Sequence, residues 1–296
     1  MVNIILSSVF PVALVILMGY IANKTLKLDQ STLSQISVYI LAPAIVIDSF
    51  YRTNMSIEEA IRLLLGYVLS TSIIYGLVLI VSNFFKLSTD DDKGLFAISL
   101  CPNNGNMGLS IIAFSLGEEG LERAVMYMIF SSIVLFGILP VMLKGDNLIV
   151  TLKSLWKLPL IWSMFIGIFL YFTNITMPFN IGKSVEWLGI SSIPIALIIL
   201  GIQLSKTKFE FGMTEFYATI GRLAIAPLIA YGIGIMVGLE GLDLKVLTLQ
   251  TAMPTAVNAV IMVKEFGGNT TMVARTIIIS TLLSFATLPF IIWLLT

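Results

Sequence analysis

Two short segments combine proline with asparagine inside otherwise apolar stretches. They read CPNNGNMGLS at 101–110 and AMPTAVNAVI at 252–261. Proline has no backbone N–H and disfavours helix in the residue before it, and Asn and Gly are poor helix formers. Each segment therefore predicts a break in a helix. Backbone groups freed by a break are costly in lipid, so each break must be buried in protein or line a cavity.

The two breaks predict a site for an anion. A helix that resumes after a break presents free N–H groups, equivalent to about +0.5 of an elementary charge. Two such ends facing one cavity suit a carboxylate, and asparagine amides donate further hydrogen bonds. The helix that ends before each break points carbonyl groups at the same region, which suits a cation. The alternative is a proline kink whose asparagines only satisfy freed carbonyls, but two breaks at matched positions favour a binding site.

The composition places both segments in a membrane protein. Of 296 residues, 57% are hydrophobic and 11% are charged, and the mean hydropathy is +0.99, whereas a soluble domain carries about 25% charged residues. Lys and Arg balance Asp and Glu at 17 each, so no basic excess indicates nucleic-acid binding. The absence of histidine and the single cysteine, Cys101, exclude His-dependent catalysis and Cys- or His-clustered metal sites. We expect no cofactor, no metal, no catalytic residues and no enzymatic activity.

Apolar runs long enough to cross a bilayer, which takes about 20 residues, occur ten times. The predicted spans are 3–22, 32–51, 60–84, 94–116, 123–143, 152–173, 185–204, 214–238, 244–264 and 271–295. The sequence therefore predicts an all-α membrane protein of ten transmembrane helices, in which the fourth and ninth are broken.

Lys and Arg in the connections predict the orientation, because they accumulate in cytoplasmic loops. Connections after odd-numbered spans carry eleven: Lys24, Lys27, Lys86, Lys93, Lys144, Lys153, Lys157, Lys206, Lys208, Lys264 and Arg275. Connections after even-numbered spans carry five: Arg52, Arg62, Arg123, Lys183 and Lys245. We therefore expect a multi-pass protein of the plasma membrane with both termini outside the cytoplasm.

Prolines recur at a nearly constant offset between the two halves of the chain. Offsets of 148–152 relate Pro11 to Pro159, Pro43 to Pro194, Pro102 to Pro254, Pro140 to Pro289 and Gly19 to Gly167. Each half holds five spans, an odd number, so the second half must cross the membrane in the opposite sense to the first. The sequence thus predicts two inverted five-helix repeats, 1–145 and 146–296. This is an architecture of secondary transporters, whose substrate sites lie near the bilayer midplane.

The two motifs resemble those of a known family. CPNNGNMGLS is similar to the fourth-helix motif of the auxin efflux carrier family, and AMPTAVNAVI is similar to its ninth-helix counterpart. Two further segments, SSIPIALIILGIQLS (191–205) and LLSFATLPFIIWL (282–294), also resemble that family. The resemblance covers the whole chain and identifies it as a prokaryotic PIN-like transporter.

The resemblance implies a fold similar to that of bile-acid/sodium symporters. In such folds spans one, two, six and seven form a scaffold and the other six form a moving core with crossed broken helices. It implies a possible homodimer and an organic anion as substrate, auxin in plants and malate or malonate in bacteria. Only about ten residues connect spans five and six, unlike the long loop of many plant members, so control by phosphorylation of such a loop is not expected. Auxin itself is not carried over as the substrate. With this resemblance, the expected substrate-binding positions are Pro102, Asn103, Asn104, Gly105, Asn106, Pro254, Thr255 and Asn258.

Three further polar residues have alternative interpretations. Asp48, late in span two, is a candidate for coupling to Na⁺ or H⁺, or forms an ion pair with Arg52 at the membrane boundary. Gln250, just before the ninth-helix break, is a second coupling candidate, or packs against another span. Arg222 in span eight meets a substrate carboxylate or, as we favour, extends towards the cytoplasmic surface. For Thr255 the alternative to substrate contact is a local backbone hydrogen bond.

The sequence favours a secondary transporter that moves a small organic anion across the bilayer by alternating access. No Walker motif indicates ATP-driven transport. The alternative within transport is a Na⁺-coupled symporter of amphipathic acids of the bile-acid type. A passive channel is disfavoured because broken helices with asparagine donors resemble a binding site rather than an open pore.

Overall fold

The chain is built from helices joined by short connections. A computed structural model describes residues 2–26, 28–144, 155–207 and 210–295, and these ranges contain no β-strand. The helices are α1 (Val2–Leu26), α2 (Gln30–Arg52), α3 (Ile57–Phe85), α4 (Thr89–Leu100), α5 (Asn104–Val141), α6 (Pro159–Thr173), α7 (Ile181–Lys206), α8 (Met213–Met236), α9 (Gly241–Thr251), α10 (Asn258–Phe266) and α11 (Thr270–Leu295). Helix α5 bends sharply at Gly117, whose φ of 73° is strained for residues with a side chain.

Seven of the described helices are long and apolar enough to cross a membrane, namely α1, α2, α3, α5, α7, α8 and α11. The predicted span 94–116 comprises α4 and the first arm of α5, which ends at the Gly117 bend, and the second arm of α5 corresponds to the predicted span 123–143. The predicted span 244–264 comprises α9 and α10, separated by a break. The predicted span 152–173 begins outside the described residues, and its described part is α6, of 15 residues. The predicted boundary between the repeats, at 145 and 146, also lies outside the described residues.

Several helices begin where the sequence supplies a cap. Ser56 and Glu59 form a reciprocal capping box at the start of α3. Ser88 caps α4, whose first turn carries three aspartates that suit the helix dipole. Asp29 caps α2, and hydrogen bonds from the Thr32 hydroxyl and from backbone amides lower the pKa of the Asp29 carboxyl. The caps at Asp29 and Ser88 fix the starts of α2 and α4 at one end of the bundle. The capping box at Ser56 fixes the start of α3 at the opposite end.

Four of the long helices widen into a π-turn two residues before a proline. The turns are Ile5–Val9, Ser37–Leu41, Val134–Ile138 and Gly221–Ile225, and the prolines are Pro11, Pro43, Pro140 and Pro227. A proline ring collides with the carbonyl group four residues earlier and provides no N–H for it. The wider turn relieves the collision and lets the helix continue. These prolines therefore bend helices, whereas Pro102 and Pro254 lie at the breaks.

Helices α1, α2, α6 and α7 form one group, in which α7 packs against α1 and α2, and α6 packs against α2. Glycines bring these backbones close together. A Cβ added at Gly19 would overlap the carbonyl group of Ile198, and one added at Gly201 would lie 2.7 Å from the backbone nitrogen of Tyr20. Small residues are the common basis of helix packing in lipid, because lipid removes the hydrophobic drive for association.

The other helices form a second group, in which α8 contacts α3, α9 and α11, while α5 packs on α9 and α4 packs on α3 and α11. The groups face each other across a buried apolar cluster. It includes Ile16, Ile45 and Leu197 from the first group, and Met107 and Ile112 from the second. A polar binding site between the two groups therefore requires a place where polar residues replace these apolar contacts.

Each group is tied internally by ion pairs. In the first group Arg52 pairs with Asp48 at 2.8 Å and also with Glu186 on α7. In the second group Arg123 on α5 pairs with Asp243 on α9. All ion pairs seen in the described ranges join residues of one group. Among these residues, therefore, no ion pair joins the two groups.

Gly201→Leu should destabilise the protein, because no side chain fits between α7 and α1. Overpacking at a backbone contact costs about 3 kcal/mol or more. We expect a lower melting temperature and a smaller monodisperse fraction in detergent. Gly232→Leu on α8 is the matched control, since a Cβ there meets nothing within 4 Å. Equal stability of the two variants would contradict the packing described for α1 and α7.

Candidate functional site

The two breaks cross and pair with each other. Pro102 and Thr255 form an isolated antiparallel bridge. The Asn103 N–H donates to the Pro254 carbonyl oxygen at 2.7 Å, and the Ala256 N–H donates to the Cys101 carbonyl oxygen at 2.8 Å. Each break therefore satisfies part of the backbone that the other leaves unpaired, as an apolar environment demands.

The crossing brings together helix ends of both polarities. Helices α4 and α9 end at Leu100 and Thr251, and helices α5 and α10 begin at Asn104 and Asn258. No side chain at either N-cap position bonds the first turn of α5 or α10. The backbone N–H groups of Asn104, Gly105 and Asn106 at the start of α5, and of Asn258 at the start of α10, form no hydrogen bond among the described residues and are available to a ligand. The next two N–H groups of α10, those of Ala259 and Val260, donate to the Ala256 and Val257 carbonyl oxygens.

A cavity of about 180 Å³ lies at the crossing, between the two helix groups. Its walls include Ser37 of α2, Pro159 of α6 and Ser192 of α7 on one side. The break residues and the Ser131–Phe136 region of α5 lie opposite. Ser37 and Pro159 lie close to the starts of α2 and α6, so the cavity lies towards that end of the bundle.

Six of the eight predicted substrate-binding residues line this cavity: Pro102, Asn103, Asn104, Gly105, Asn106 and Asn258. Asn104 is buried and its amide donates to the Ser131 hydroxyl. Asn103 is 2% exposed, and its Nδ2 has no hydrogen-bond partner among the described residues. A buried amide left without a partner is costly, so a donor is available at the cavity wall.

The other two predicted positions lie behind the cavity wall. Pro254 contributes its backbone carbonyl to the pairing of the breaks. Thr255 is fully buried, and its hydroxyl donates to the Ile98 carbonyl oxygen at 3.3 Å. Its N–H donates to the Ser280 hydroxyl at 3.2 Å. The Thr255 hydroxyl therefore bonds a backbone carbonyl of the other broken span, not a local one, and Thr255 supports the crossing.

The two candidates for ion or proton coupling lie away from the cavity. Asp48 forms the ion pair with Arg52 that was its alternative interpretation. Gln250 is fully buried, and its amide donates to the Ala124 carbonyl oxygen at 3.2 Å, in contact with α5. Neither residue lines the cavity. Within the described ranges no group of three or more His, Cys, Asp or Glu side chains is placed to hold a metal ion.

Arg222 is the residue whose role the sequence did not reveal. The favoured expectation for it, extension to the cytoplasmic surface, is wrong in this structure. The alternative, contact with a substrate, stays a prediction, and Arg222 does not line the cavity. The side chain is 3% exposed, and its guanidinium bonds the carbonyl groups of Ser99, Thr251 and Met253. The sequence contained a signal for this role. Arg222 is a charged residue within a predicted span, and Pro102 and Pro254 free backbone carbonyl groups that a cation can bind.

Apolar helices that span a membrane and enclose a polar cavity at paired breaks define a multi-pass membrane protein. The chain matches the model of the membrane transport protein family over residues 4–292 and therefore belongs to that family. This confirms the membership of the auxin efflux carrier family that the four motifs predicted.

Relatives named as transporters match nearly the whole chain. An "Uncharacterized transporter" of Methanothermobacter thermautotrophicus is 27% identical over 293 residues, 95% of each chain. Another, of Methanocaldococcus jannaschii, is 25% identical over 299 residues, 96% of each chain. A "Putative malonate transporter" of Rhizobium meliloti is 23% identical over 272 residues, 87% of this chain and 84% of the relative.

Cysteine labelling should separate the wall of the cavity from the layer behind it. Asn258 is exposed and Thr255 is fully buried, so in a Cys101→Ala background Asn258→Cys should react with a charged thiol reagent at least about tenfold faster than Thr255→Cys. Mass spectrometry of the labelled protein measures both rates. Equal rates would place the two residues in the same environment and contradict the cavity as described.

Proposed function

We propose that this protein is a secondary transporter that carries a small organic anion, a carboxylate, by alternating access. The observation that carries the proposal is the polar cavity at the crossing of the two breaks. The ligand-binding groups are the N-termini of α5 and α10 together with Asn103, Asn106 and Asn258. We assign Pro102, Asn104, Gly105, Pro254 and Thr255 to the support of these groups.

The contacts between helices support an arrangement of ten membrane-crossing segments as two inverted five-helix repeats. In this arrangement the second arm of α5 is the fifth segment, and the broken segments are α4 with the first arm of α5, and α9 with α10. Three packing contacts then have counterparts: α1 with α7 matches α6 with α2, α3 with α4 matches α8 with α9, and α9 with α5 matches α11 with α4. The repeats would be 1–145 and 146–296.

The groups that line the cavity support an anion as the substrate. Its walls contain asparagine, serine and two helix N-termini, and none of the residues that form them is acidic. Helix N-termini and amide donors together favour a carboxylate. The relative named as a malonate transporter supports the same class of substrate.

The volume of the cavity favours a small acid over the bile-acid type. Pockets for drug-sized ligands measure about 300–1,000 Å³, whereas this cavity measures about 180 Å³. A short mono- or dicarboxylate fits that volume, and a steroid does not. The Na⁺-coupled symport of amphipathic acids is therefore the weaker proposal.

Alternating access is supported by a second cavity between the same two helix groups. It measures about 260 Å³ and lies among Phe50 of α2, Ile57 of α3, Met126 of α5 and Tyr171 of α6. This places it on the opposite side of the crossing from the polar cavity. With both termini outside the cytoplasm, as the Lys and Arg distribution predicts, the polar cavity faces the cytoplasm. Relative movement of the two groups would then open each side in turn.

Asn106→Ala and Asn258→Ala should each abolish uptake of labelled malonate or malate into proteoliposomes, because each removes an amide donor from the cavity wall. Both variants should keep the melting temperature of the wild type within a few degrees. Asn83→Ala is the matched control, since Asn83 is exposed at the end of α3 and should transport normally. Wild-type uptake by both cavity variants would refute the assigned site.

A further inference from the structure

Arg222 joins the two halves of the crossing. Its Nε donates to the Met253 carbonyl oxygen at 2.9 Å, its Nη1 to the Ser99 carbonyl oxygen at 2.9 Å, and its Nη2 to the Thr251 carbonyl oxygen at 2.6 Å. Ser99 belongs to the last turn of α4, and Thr251 is the last residue of α9. One guanidinium therefore binds the C-terminal ends of both helices that stop at the breaks.

These carbonyl groups lie at the helix ends that, from the sequence, we expect to suit a cation. Each helix C-terminus is equivalent to about −0.5 of an elementary charge, and two converge here. A planar guanidinium with five N–H donors can satisfy several carbonyls at once, which a lysine ammonium does less well. The cation at this position is thus part of the chain.

The charge of Arg222 has no acidic partner in the described part of the chain. Its guanidinium forms no ion pair there, and the ionisable side chains near enough to act on it are Tyr127, Cys101 and Tyr67. Tyrosine and cysteine are neutral at neutral pH in their ordinary state. A buried positive charge balanced only by carbonyl dipoles keeps a long-range attraction for an anion, because little solvent screens it.

The polar cavity is adjacent to the segments whose carbonyl groups Arg222 binds. Leu100, Cys101 and Pro102 directly follow the Ser99 carbonyl group along the chain, and all three line the cavity. In the second break, Ala256 lies three residues after Met253 and also lines the cavity. Arg222 therefore lies behind the crossing, with the cavity in front of it, and has no contact with a ligand there.

We propose that Arg222 is the resident cation of the crossing: it holds the two broken helices together and supplies the positive potential that selects anions, so that substrate binding needs no Na⁺. The inference rests on the proposed function and adds a positioning and charge-selecting residue to it. Because the attraction scales with ligand charge, loss of Arg222 should weaken a dianion more than a monoanion of similar size.

The test compares binding of malonate, a dianion at neutral pH, with binding of propionate, a monoanion, to purified protein by calorimetry. Arg222→Gln keeps hydrogen-bond donors and removes the charge. We expect its affinity to fall about tenfold for propionate and about a hundredfold for malonate, in proportion to ligand charge. Arg222→Lys should retain the wild-type ratio of the two affinities, and Arg62→Gln, an exposed arginine on α3, is the matched control.

A ratio of affinities unchanged in Arg222→Gln would overturn the inference, because a purely structural role weakens both acids alike. The wild type provides a second readout that needs no folded variant: replacing Na⁺ by choline at constant ionic strength should leave malonate affinity unchanged, and a requirement for Na⁺ would also overturn it. If the wild type binds no carboxylic acid, the proposed function itself fails. Binding by the wild type with either contrary result refutes the role of Arg222 alone.

Discussion

Two hydrogen bonds between the breaks, from Asn103 to Pro254 and from Ala256 to Cys101, are the interaction on which the rest of the structure depends. In apolar surroundings every peptide group must find a partner, and a helix broken by proline loses several. Here each break supplies partners for the other. The pairing fixes two helix N-termini at one cavity and two helix C-termini behind it. A site rich in donors is thus built mainly from backbone, and none of the described residues in its wall has a charged side chain.

The charges around the crossing follow from this geometry. The converging C-termini of α4 and α9 require positive charge, and Arg222 meets that requirement within the protein. The converging N-termini of α5 and α10 require negative charge, and nothing in the described cavity wall supplies it. The protein itself therefore supplies the positive charge on one side of the crossing and presents helix N-termini, which favour an anion, on the other. Ion pairs that stay within each helix group, and cavities on both sides of the crossing, are compatible with movement of one group against the other.

Much of this was predictable from the sequence, because breaks and spans depend on local residues. Pro102 and Pro254 with their asparagines correctly indicated two interrupted helices, and the four motifs indicated the family. The environment of Arg222 was not predicted, because the prolines indicate where carbonyl groups are freed but no sequence pattern shows which side chain reaches them. The hydrogen bond of the Thr255 hydroxyl was not predictable either, because only the fold shows that this hydroxyl faces the Ile98 carbonyl group. The orientation, the ten-segment count and the binding roles of the asparagines stay predictions.

The pairing of the breaks can be tested with a single substitution, because Cys101 is the only cysteine. Hydrogen-bonded residues on antiparallel strands have Cα atoms about 5.5 Å apart, within the range for a disulfide. With a protease site inserted at 145–154, oxidised Ala256→Cys should stay as one band near 32 kDa after cleavage and separate into two halves on reduction. Ala230→Cys, buried in a cluster that does not include Cys101, should separate without reductant. If Ala256→Cys also separates without reductant, the two breaks do not meet.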